Sequence, residues 1–308
     1  MSDIVANRQE ILFLYDVKDA NPNGDPLDEN KPRIDEETAT ALVSDVRLKR
    51  TVRDYLHDFK GREIFIRGVR KEDGVLKTKE DRLTDLKIDK PEKAADLLAQ
   101  CIDIRLFGAT TAIKDRSIIY TGPVQFKIGR SLHRVNLQFM KGTTVMPSEK
   151  NKKQGTYTEQ YLLPYALIAF SGIVNENAAK TTMLTQEDCD ALLDGLWNGT
   201  KNLISRSKAG QVPRLLVNIV YKEKNYHIGD LNAGFRLATT VPDEELREID
   251  QYELVVDDLV GILAANATKI EKVQYCADPR LRIRCADVPA DLGAVLKEQK
   301  IAVETLAF

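Results

Sequence analysis

The chain of 308 residues has few of the side chains that most often carry out chemistry, with only four cysteines and three histidines. Cys101, Cys189, Cys276 and Cys285 lie far apart, and no pair has CxxC spacing. That argues against a structural zinc site and for reduced thiols in a cytoplasmic protein. His57, His133 and His227 are isolated, so no Cys–His or Ser–His–Asp set is suggested. There is no GxSxG elbow, Walker loop or HExxH helix. No apolar run approaches the roughly 20 residues of a membrane span. Met1–Asn7 lacks the basic and apolar regions of a signal peptide. Internal repeats and low-complexity tracts are absent. So is the aromatic signature with which RNA-recognition sheets stack bases. No cofactor and no metal are expected.

Acidic residues are also missing locally. From Ser117 to Ser148 there is no Asp or Glu, while Lys127, Arg130, His133, Arg134 and Lys141 are present. From Gly195 to Lys222 there is again none, with Lys201, Arg206, Lys208, Arg214 and Lys222. The compensating acids crowd 243–258, and the net charge is −2. Such segregation implies one cationic face and one acidic face. The acidic one is a candidate for meeting a basic face of another copy.

Apolar and charged fractions of 43% and 30% are those of a globular protein, long enough for one elaborated domain or two. The run Ile11–Val17 predicts a strand buried on both faces, about 10–17. Asn21-Pro22-Asn23-Gly24-Asp25-Pro26 then breaks it, and a long polar loop follows to 43. Ser44 is a good N-cap for a helix over about 44–59. Leu48, Val52, Tyr55, Leu56 and Phe59 share one side of it, with Lys49, Arg53 and Lys60 beside them. Further strands are expected at about 63–69, 161–174 and 213–221. Helices are expected within 91–104 and over about 185–205. A hairpin is expected within 117–145, its second arm near 136–140. Asn151–Gly155 reads as an exposed turn.

In order, the main elements read βαβ, an insertion, then βαβ. This α+β pattern fits an RRM-like or ferredoxin-like palm, βαββαβ, from 1–69 and 161–222. Residues 70–160 would form inserted fingers, and 223–308 an extension completing palm or thumb.

Three segments are candidates for holding a phosphate backbone. The first is the Asn21, Asn23 and Gly24 turn, where a positive φ at Gly24 would let amides converge on an anion. Arg33 follows it, and the helix supplies Ser44, Arg47, Lys49, Arg50 and Arg53. The second is Gly122–Ser131, with Gln125, Lys127, Arg130 and Ser131. The third is the basic loop Arg206, Ser207 and Lys208. Each also has a plain reading: a self-capped loop, a solvated helix face, a hairpin with surface cations, a helix end. Asp16, Asp19, Asp25 and Asp28 leave a rival function open, a metal-dependent ribonuclease. Loop solvation and capping also explain them.

The stretch from Leu14 to Pro26, then Pro32–Asp35 and Val43–Arg50, resembles the N-terminal signature of the CRISPR-associated Cascade backbone family. The type I-B branch is the nearest likeness and type I-C the next. Gly122–Ser131 and Ser205–Gly210 are similar to that family too. The resemblance implies a non-catalytic subunit with palm, fingers and thumb that polymerises along a CRISPR RNA. The guide's phosphates would be held while its bases stay free to pair with a target DNA strand. Other Cascade subunits would be partners, and no membrane would be involved.

Overall fold

The apolar run of the first strand lies at the centre of the molecule. In the computed structural model β1 spans Gln9–Ala20, and the structure describes residues 3–88, 90–113, 116–143 and 157–308. The turn expected at Asn151–Gly155 lies outside the described residues. Alternate side chains of a strand point to opposite faces, and both faces of β1 are covered. Ile11, Phe13, Tyr15 and Val17 join one core cluster. Leu12 and Leu14 join another on the opposite face. This is why β1 reads as an unbroken apolar run rather than an alternating one.

The other strands of the main sheet are β2 (Thr40–Val43), β3 (Val124–Phe126), β4 (Gly129–Arg134), β5 (Gln138–Thr143) and β6 (Tyr157–Val174). They are followed by β7 (Gln211–Tyr221), β8 (Ile270–Ala277) and β9 (Val303–Thr305). The sheet runs β9-β8-β7-β1-β6-β4-β2, with β3 and β5 also paired to β6. β1 is antiparallel to both β6 and β7. β6 and β7 are therefore parallel, with β1 between them.

On the first face lie α1 (Asp45–Asp58), the short helices α4 (Ile102–Phe107) and α5 (Glu176–Thr182), and α6 (Gln186–Lys201), while α2 (Lys79–Asp85) and α3 (Ala94–Gln100) pack around a third core cluster with Phe65. α1 and α6 pack closely because Gly195 and Gly199 leave room. A Cβ on either would come within 3.0 Å of Val52 or Tyr55. On the other face a small sheet over 236–289 packs with the second cluster.

Four expectations need correction. Residues 63–69 form no strand. Ile64 and Phe65 are buried, but the Phe65 and Ile66 amides donate to the Asp103 carboxylate at 2.8 and 3.0 Å. A side chain has taken the hydrogen bonds a ladder would need. The place beside β6 is filled by β3 and β4, so 124–134 belongs to the main sheet and not to an insertion. The expected hairpin does not close on itself either, because β3, β4 and β5 all pair with β6. An 18-residue strand offers a longer template than either short arm offers the other. Finally, 18–43 is not an open loop: Gly24–Asp25 pairs with Lys31–Pro32, and β2 pairs with β4.

His133 locks β4 into this sheet. Its Nε2 accepts from the Leu167 amide at 3.2 Å, and its Nδ1 faces the Arg134 and Asp243 carbonyls at 2.9 and 3.2 Å. That network requires the neutral ring, and burial lowers its pKa below 6.5. The unfolded chain then binds the proton more readily, so stability falls as pH drops below about 6.5. Melting temperatures from pH 7.5 to 5 should show the decline, and His133→Gln should flatten it. An unchanged slope in the variant would assign the acid sensitivity to other groups.

Candidate nucleic-acid interface

The Asn21–Pro26 turn is held by three neighbours. The Asn21 amide donates to the Ser207 carbonyl at 2.8 Å. Its Nδ2 donates to the Asn30 carbonyl at 2.6 Å. Asn23 Oδ1 accepts from the Ser44 hydroxyl at 3.2 Å. Ser44 is the α1 N-cap, as expected, accepting from the Arg47 amide at 3.3 Å. The turn, the start of α1 and the 203–210 loop therefore form one unit.

Gly24 does not serve as expected. Its φ is not in the left-handed region; Glu29 and Asn30 occupy that region instead. Gly24 is required for space, because a Cβ there would sit 2.1 Å from Asn30 Oδ1. Gly24→Ala should cost about 1–3 kcal/mol as the turn shifts. Urea unfolding checks this, and an unchanged midpoint would mean that Asn30 gives way freely.

Two cations converge on this unit. Lys208 Nζ donates to the Asn21 carbonyl at 3.0 Å. Arg47 donates to the Thr51 hydroxyl at 3.0 Å. Both are half-buried, and among the described residues neither forms an ion pair with a carboxylate. Burial lowers the pKa of both; for Lys208, burial and the nearby Arg47 bring it to about 8. Asn21 Oδ1 is buried beside them with no hydrogen-bond partner. Arg206 lies exposed on the same loop. Cations with no directly paired carboxylate at a partly dry site fit an anion far better than a neutral ligand.

Most of the other expected cations are already engaged. Lys49 is buried, bonded to Asp45 at 3.0 Å and to Gln125 at 3.1 Å. Arg53 is buried over the Phe107 ring and paired with Asp103 at 3.0 Å. Ser131 is buried too, donating to the His133 carbonyl and accepting from the Ala41 amide. All three were expected to contact RNA, and in the fold all three are buried and engaged within the chain. The helical wheel misled because the 63–107 region covers what looked like a solvent face. Arg50 pairs with Asp54, Arg33 with Asp25, Lys127 with Asp230 and Arg130 with Asp35, all at the surface. Such exposed pairs are weak and exchange readily for a phosphate. Asp243 and Glu244 face Arg134, and Glu248 faces Lys18, so these acids are engaged within their own chain.

The carboxylates do not gather. Asp16 is buried, accepting from Arg214 at 2.7 Å and Tyr165 at 3.0 Å. Asp25 faces Arg33, and Asp28 faces Lys31. Among the described residues no three His, Cys, Asp or Glu side chains converge on a metal position.

One feature escaped the sequence. β5 and the start of β6 form a ribbon on which Phe139 and Tyr161 lie 4.9 Å apart, with Met140 exposed beside them. Lys31 sits 5.2 Å over Tyr161, and Lys141 sits 5.5 Å over Phe139. Its signal was two aromatics, Phe139 and Tyr161, on segments that pair only in the fold.

Sheet, turn and cation pair together define an α+β scaffold that sets two half-buried cations beside one turn. The chain belongs to the CRISPR-associated protein Cas7 family, whose model matches residues 7–257. It is 34% identical over 310 residues to a CRISPR-associated protein Cas7 of Haloferax volcanii, covering 91% of this chain and 90% of that one. Its fold is similar to a chain of a CRISPR RNA-guided surveillance complex in a pre-nicking state. The TM-score is 0.61 at 12% identity, covering 97% and 96% of the two chains.

Proposed function

We propose that this chain is a non-catalytic backbone subunit of a type I CRISPR surveillance complex, of the I-B branch. Copies bind side by side along a CRISPR RNA and present its bases to target DNA, beside other Cascade subunits in the cytoplasm. The observation that carries this reading is the Arg47–Lys208 pair. Two half-buried cations without a carboxylate adjoin a turn whose geometry is fixed from both sides. Nothing there reads a base edge, so the grip is on phosphate and sugar.

The sheet supports an RRM-like palm. Its central order β7-β1-β6 continues into β3 and β4, with every neighbour antiparallel. Residues 62–123 then form the fingers. The β5–β6 ribbon serves as the thumb, its Phe139–Tyr161 pair meeting RNA on a neighbouring copy. The test is to purify the protein, strip it and sequence the polynucleotide released. CRISPR transcripts are expected. Nucleic-acid-free protein that ignores guide RNA in dilute buffer would end this reading.

A further inference from the structure

A second basic pocket lies away from Asn21, between α1 and residues 65–82. Its volume is about 330 Å³. Arg50, Arg53, Arg67, Lys77, Lys79 and Arg82 line it, and no carboxylate does. Its apolar part is Val46, Phe65 and Ile66, with Val46 66% exposed. The Nε groups of Arg67 and Arg82 are buried without hydrogen-bond partners. Most of the other cations are held by carboxylates behind the pocket, such as Arg53 by Asp103 and Lys77 by Asp85. A small, partly apolar pocket that Arg67, Lys79 and Arg82 line, with no carboxylate in its wall, suits one apolar side chain flanked by acids. It suits a bare phosphate strand less well.

The same chain carries such a group. Leu27 is 97% exposed, more than any other large apolar side chain among the described residues. It stands at the tip of the turn closed by the Gly24–Asp25 and Lys31–Pro32 pairing, between Asp25 and the acids Asp28 and Glu29. Leu27 does not line the pocket of its own copy. We propose that Leu27 and its flanking acids dock into the Val46–Phe65–Ile66 pocket of the next copy. Tip and pocket are different surfaces, so the contact is head-to-tail. Repeated, it builds a filament instead of a closed two-fold dimer. This inference rests on the reading of side-by-side copies given above and names one joint between them.

The test uses full-length protein and two preparations, Leu27→Cys and Val46→Cys, mixed with a short bismaleimide at micromolar concentration, with and without guide RNA. The expected result is a covalent pair between the two preparations, at several times the yield of either alone. In a second arm, Leu27→Arg and a Val46→Glu/Lys79→Glu variant are each placed on long RNA and weighed by mass photometry. Each alone should scatter as single subunits, while their mixture, which restores one intact joint, should give pairs. Two results would overturn the proposal: no cross-link above background, or clustering of both variants on RNA as in the wild type. Weaker RNA binding by the pocket variant without cross-linking would make the pocket a nucleic-acid site and overturn it too. Cross-linking without any RNA binding would uphold the joint and reject only the RNA reading.

Discussion

Replacing Arg47 and Lys208 together by alanine should weaken single-stranded RNA binding about 100-fold at fixed salt. A hydrogen bond to a charged group contributes roughly 1.5–3 kcal/mol, and about 1.4 kcal/mol is tenfold, so each cation accounts for about a factor of ten. The plot of log affinity against log salt should become shallower by about 1.4, at about 0.7 per phosphate contact on a single strand. Both side chains are half-buried without carboxylate partners, so no broken ion pair confuses the result.

Lys208 adds a pH signature. In the RNA-free protein its pKa is lowered to about 8. A bound phosphate favours the charged form and raises it again. Binding therefore takes up a proton above pH 8, and affinity should fall there by up to about tenfold per pH unit. Lys208→Arg stays charged and should remove that bend. Fluorescence anisotropy from pH 7 to 9.5 reads both effects. A pH-independent wild type would show that Lys208 does not meet the RNA.

Asp103→Ala should have the largest effect on stability, a loss of about 3–5 kcal/mol, as for breaking a buried pair from one side. Asp103 is fully buried and holds three donors: Arg53 at 3.0 Å and the Phe65 and Ile66 amides at 2.8 and 3.0 Å. Its removal strands a buried guanidinium and two amides together. Urea unfolding measures the loss, and a change below about 1 kcal/mol would contradict the assignment. RNA affinity per folded molecule should not move. Arg53→Ala breaks the same pair. A combined replacement of Lys49, Arg50 and Arg53 would therefore report on folding rather than on RNA contact.

The contrast between Arg47 and Arg53 shows how far the sequence could be read. Both lie on α1 and both look solvated on a wheel. Local signals were sufficient for β1, for the Ser44 cap and for the turn after Asn21, because each depends on neighbours in sequence. What covers α1 depends on Asp103 and Phe107, which no local pattern ties to Arg53. Strand 63–69 failed for the same reason, since a distant carboxylate took its amides. Lys208 was legible as a basic loop residue, but not as the companion of Arg47. That pairing follows from β7 lying beside β1, which returns the 203–210 loop to the Asn21 turn.

The central claim is a grip on the strand that does not depend on base identity. It is tested most directly by measuring dissociation constants for two single-stranded RNAs of equal length and unrelated sequence, from low to high salt. The account predicts equal affinities within about threefold at every salt, falling together along parallel lines as expected for phosphate contacts. A preference of about 100-fold for one sequence, or affinity indifferent to salt, would contradict it.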